Sequence, residues 1–142
     1  MRLTISLVIL LLTGTAGAQS LENWSEIIFQ SQARSGDYQE IRITPDSVHY
    51  QSGNRRSGSS EESHACLKRK EKKHLGQILT SLGQLDFNRL ESPTNNRAFD
   101  GARHSQIIIK TAENQLDHYF DDESPNEKLS PLLTLMLKVA KE

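Results

Sequence analysis

Residues 106–121 read QIIIKTAENQLDHYFD, and this stretch decides the fold class. Ile107-Ile108-Ile109 is a β-branched run that suits a central strand. Glu113-Asn114-Gln115 is a tight turn. Beyond it Leu116, His118 and Phe120 alternate with Asp117, Tyr119 and Asp121, the period of a strand with one buried side. The two runs predict a β-hairpin with one apolar face, and an antiparallel sheet of this kind needs a cover over that face.

Two amphipathic helices supply the cover. Downstream, Ser130-Pro131 starts a helix, because a proline is tolerated in the first turn and breaks a later one. Its Leu132, Leu133, Met136, Val139 and Ala140 fall on one face. Upstream, Leu75, Ile78, Leu79, Leu82 and Leu85 form a second stripe, with Gly76 and Gly83 off it. The capping-box pattern Ser124–Glu127 reads as a loose turn before the later helix.

Earlier strands follow by the same alternation. Trp24–Gln32 is centred on Ile27-Ile28-Phe29, and residues 38–43 place Ile41 and Ile43 on one face. Thr44-Pro45-Asp46-Ser47 reads as a turn, after which Val48 and Tyr50 resume the pattern; 38–51 is one bent strand or two. QSGNRRSGSS (51–60) has no large apolar residue and reads as a mobile hairpin tip, with Glu61–Leu67 returning as a strand. Residues 92–105 form a long polar connection. The expected architecture is α+β: an antiparallel sheet of four to five strands with two helices packed on one face.

Met1–Ala18 has a short positive start at Arg2, an apolar centre at Leu7–Leu12 and small residues Ala16-Gly17-Ala18. It reads as a signal peptide cleaved before Gln19, leaving residues 19–142 as a single exported domain, periplasmic or secreted. The apolar run is shorter than the roughly 20 residues a membrane span needs, so no span is expected once it is removed. A net charge of −1, and a single cysteine, exclude a strongly basic nucleic-acid binder and an internal disulfide framework. Cys66, between Ala65 and Leu67, reads as a buried thiol. The basic run Lys68–His74 reads as the solvated start of the first helix.

No catalytic constellation stands out, and no cofactor is implied. Three arrangements stand beside ordinary solvated or core roles. His64 and Cys66 share a strand face and, with His74, offer ligands for zinc or copper. Asp117, Asp121, Asp122 and Glu123 supply hard oxygens without a calcium-loop pattern. His104 and His118 lie near carboxylates, as a general base of a small hydrolase would. The favoured reading is a non-catalytic binding domain with a protein partner, contacting it through Trp24, Tyr38, Tyr50 and Tyr119 on the uncovered sheet face.

Phe99-Asp100-Gly101, Ile107-Ile108-Ile109 and the closing Leu129–Val139 stretch together resemble small exported bacterial domains of unknown function. The resemblance implies the strands–helix–strands–helix order and no activity.

Overall fold

The structure is a computed structural model that describes residues 20–98 and 101–142. The signal-peptide reading and Phe99-Asp100 lie outside the described residues. The fold is α+β. Six strands run β1 (Trp24–Gln32), β2 (Asp37–Ile43), β3 (Ser47–Asn54), β4 (Ser59–Cys66), β5 (His104–Thr111) and β6 (Gln115–Asp121). Helix α1 (Arg69–Leu82) joins β4 to the later hairpin, and α2 (Ser130–Val139) closes the chain. Every pairing is antiparallel, in the order β4-β3-β2-β1-β5-β6.

The sheet therefore has six strands, where four to five were expected. Residues 38–51 are not one bent strand. Thr44 and Ser47 close a turn around Pro45-Asp46, with the Thr44 N–H donating to the Ser47 carbonyl at 2.9 Å. The expected tip is also mostly strand, and only Arg55–Gly58 forms the turn. The Asn54 side-chain oxygen accepts from the N–H groups of Arg56 (2.8 Å) and Ser57 (3.1 Å), and Gly58 takes φ +73°. Gly53 lets the strands close up: a Cβ there would lie 2.1 Å from the Ser59 carbonyl oxygen. Backbone pairing needs no apolar side chain, which is why hydrophobic periodicity overlooked this part of the sheet.

Register sorts the side chains into cross-strand rows. On the inward face, Val48, Ile43, Ile27, Ile109 and Leu116 form one row. Tyr50, Ile41, Phe29, Ile107 and His118 form the next. These residues join the buried faces of both helices in one cluster that includes Leu75, Leu79, Leu82, Leu132, Leu133 and Met136. Phe29 and Phe120 stack within it, ring centroids 6.2 Å apart. The helix stripes face the core as periodicity predicts, with Leu129 and Leu135 also buried, but α1 ends at Leu82, so Gly83 caps it and Leu85 lies beyond it, half-buried. Helix α1 begins at Arg69, before its stripe, and the Glu71 carboxylate accepts from the Lys68 N–H at 2.9 Å. Among the described residues no helix is long and apolar enough to cross a membrane.

Candidate functional site

Among the described residues the other face of the sheet carries no helix, and its rows read differently. One row runs Glu62, Gln51, Glu40, Gln30, Gln106, Tyr119. Beside it run His64, His49, Arg42, Ile28, Ile108, Asp117, and on the other flank Ser60, Gly53, Tyr38, Gln32, His104, Asp121. Ile28 is 3% exposed yet stands outside the main core cluster, so this face buries some apolar area under its polar side chains.

The centre of the open face is an ion-pair ladder. Arg42 donates to Glu26 at 2.8 Å and to Glu40 at 3.0 Å, Lys110 donates to Glu26 at 2.8 Å, and Gln30 donates to Glu40 at 2.8 Å. The bond from Lys110 and the nearby Arg42 hold the Glu26 carboxyl below the usual range, against the opposing effect of burial. Burial works against the Glu40 charge as well, but the bonds from Gln30 and Arg42 outweigh it and lower that carboxyl too.

At one end, Tyr38, Tyr119, His104, Arg55, Gln30 and Gln106 line a hollow of about 260 Å³. The Arg55 guanidinium lies 5.5 Å from the centre of the Tyr38 ring, a cation–π contact that orients both groups. Tyr119 is 58% exposed. Of the four aromatics proposed for this face, Tyr38 and Tyr119 share the hollow. Tyr50 points inward against the core, and so does Trp24, which lies beside Leu21 and Leu79 of the helical layer. A bulge between Trp24 and Glu26 shifts the register there. A two-residue count from Ile27 would put Trp24 on the open face only if no bulge intervened.

At the opposite edge, His49 and His64 face each other across β3 and β4. Their rings stack, centroids 4.3 Å apart and 13° from parallel. Both Nε2 atoms meet one oxygen of Glu62, at 2.7 and 3.0 Å. These bonds, that of His49 first, draw the Glu62 carboxyl below its ordinary value. Among the described residues this is the one group in which three His, Cys, Asp or Glu ligand atoms converge, all within 4.8 Å of one another. The set proposed from sequence, His64, Cys66 and His74, is not brought together. Cys66 follows His64 on the same strand face, but His74 rides on α1 in the helical layer. Cys66 is exposed, not buried, because β4 is an edge strand with no helix over its open side.

The remaining candidates take structural roles. His118 is buried, stacks on Phe120 at 5.6 Å and accepts the Asn126 N–H on Nε2 at 3.3 Å. The acidic group disperses. Buried Asp121 accepts from the Thr94 hydroxyl and the Asn96 N–H, Asp122 from the Arg103 N–H, Glu123 from Gln39, and Asp117 from Gln115. Asp121 is therefore a clamp on the 92–98 loop, a role that spacing in the sequence did not reveal. Two cations of the basic run are paired: Lys68 meets Glu142 at 2.5 Å and Lys72 meets Asp46 at 2.8 Å.

Comparison with protein-family models finds no match, and comparison with curated proteins finds no relative.

Proposed function

We propose that this chain is an exported, non-catalytic binding domain whose open sheet face docks on a protein partner. One observation carries the reading: a single face of the sheet is roofed by helices, and the other presents Tyr38, Tyr119, Arg55 and His104 around a shallow polar hollow. Exposed tyrosine and arginine are enriched at protein interfaces, where a flat ring or guanidinium covers much area with little loss of freedom. The hollow's 260 Å³ falls below the roughly 300–1,000 Å³ of small-molecule sites, which favours a macromolecular surface. His118, one of the two histidines weighed as a general base, is committed to core packing and a backbone bond, which supports a non-catalytic reading, while His104 lines the hollow. The signal-like start of the chain supports export.

The test places a photo-crosslinking residue at Tyr119 and, separately, at exposed Thr80 on α1, in the full-length protein in its native cells. A discrete protein adduct from position 119, lost on Tyr38→Ala and absent from position 80, is the expected result. Equal crosslinking from both positions, or none from 119, overturns the reading.

A further inference from the structure

We propose that His49, Glu62 and His64 form a binding site for a divalent late first-row metal ion of the zinc class. The hairpin builds the site. Pairing Asn54 with Ser59 across the Arg55–Gly58 turn forces His49 opposite His64, each five residues from that pair. Side chains two apart on a strand share a face, so Glu62 projects beside His64. Two imidazoles and one carboxylate are ligands that zinc accepts, and three protein ligands leave a position for water.

The distances are close to what an ion requires. Zinc bonds of roughly 2.0–2.2 Å in tetrahedral geometry put ligand atoms about 3.3 Å apart. The Nε2–Oε1 separations are 2.7 and 3.0 Å, so the ligands must spread by only a few tenths of an ångström. The stacked rings must also splay, so that both nitrogen lone pairs point at one centre. His64 has room to do so, with its side chain 69% exposed, and Glu62 is 54% exposed. Each imidazole then presents a bare Nε2, its proton released or carried on Nδ1. Arg42 stands next to His49 in the row, but its charge is already answered by Glu26 and Glu40. The site lies on β3 and β4, with Glu62 two strand spacings, roughly 10 Å, from Glu40 at the near rim of the proposed docking hollow, and shares none of the hollow's lining residues.

The experiment titrates zinc chloride into the metal-free, untagged full-length protein by calorimetry, and follows the histidine ring nitrogens by NMR. One zinc per chain is expected, with the Nε2 signals of His49 and His64 shifting together. His49→Ala, His64→Ala and Glu62→Gln each weaken binding by more than about tenfold, while Cys66→Ala and His74→Ala leave it unchanged. The altered side chains lie on an edge hairpin outside the core, and the wild-type NMR shifts need no variant at all. Absence of zinc heat and of those shifts overturns the proposal. So does zinc binding that survives the His49→Ala/His64→Ala double change, or that is lost with Cys66→Ala.

Discussion

Ile27 and Ile28 are neighbours on β1, both are nearly shut off from water, and they belong to different worlds. Ile27 faces the helices and packs among Ile43, Ile109 and the core cluster. Ile28 faces outward between Arg42 and Ile108, in a layer made of ion pairs, amides and imidazoles. The inward face is held by the removal of apolar area from water, worth about 25 cal/mol per Å². The outward face gains little from its surface pairs, each worth about 0–1 kcal/mol, and it presents the groups that the proposed docking would use. The sheet thus keeps stability on one side and leaves chemistry to the other.

The sharpest way to break this division is to put a charge in the roof. Leu133 on α2 is 2% exposed, and Leu133→Asp should abolish the fold, because a buried carboxylate there has no partner. Native circular dichroism from that variant would mean the helices are not the cover. A finer contrast truncates the two isoleucines. Ile27→Ala should cost about 3–4 kcal/mol in chemical denaturation, within the range of core truncations. Ile28→Ala should cost about half as much, because flexible polar side chains can settle into the space. Equal losses would show that the outer layer is a second core.

The same contrast decides what was legible in the sequence. The stripes Leu75–Leu82 and Leu132–Val139, and the alternation of 116–120, all mark apolar sides, and each was found. The hairpin 47–66 carries almost no apolar signal beyond Val48 and Tyr50, so the sequence marks its strands but neither their full length nor whether 38–51 is one strand or two, which holds the expected count at four to five. The information was nevertheless present in local turn chemistry: Asn54 and Gly58 bracket a four-residue turn that sets the register. Reading that turn would have paired His49 with His64 and brought in Glu62, in place of Cys66 and His74. Trp24 packs inward beyond a bulge that two-residue counting does not reveal. Asp121 was unreadable in a different way, since its partners Thr94 and Asn96 come from a connection with no periodicity.

A milder probe asks how much the outer ladder contributes. Glu26 has a side chain 16% exposed and joins Arg42 and Lys110. Glu26→Gln should cost about 1 kcal/mol at neutral pH. The folded state holds this carboxyl below the usual glutamate value of 4.5, so the folded protein gives up the proton more readily than the unfolded chain. Its contribution is complete above that value and fades as the pH falls through the lowered native one. Wild type and Glu26→Gln should therefore converge in stability on acidification; a difference that stays constant to the lowest pH at which both fold would assign the effect to packing instead.

The smallest stability effect should come from the most exposed ring of the proposed docking face. Tyr119 is 58% exposed, at the edge of the outward face, and its ring covers no part of the helical core. Tyr119→Ser should change the unfolding free energy by less than about 0.5 kcal/mol, the usual reach of a surface substitution. A large loss would mean that the ring shields something structural, and that the outward face is not free for contact. A small one leaves a wide amphipathic ring kept in water on the side of the sheet that the core does not use. Combined with a partner adduct from a crosslinker at position 119, that result would separate the two faces: Leu133 for folding, Tyr119 for the proposed binding.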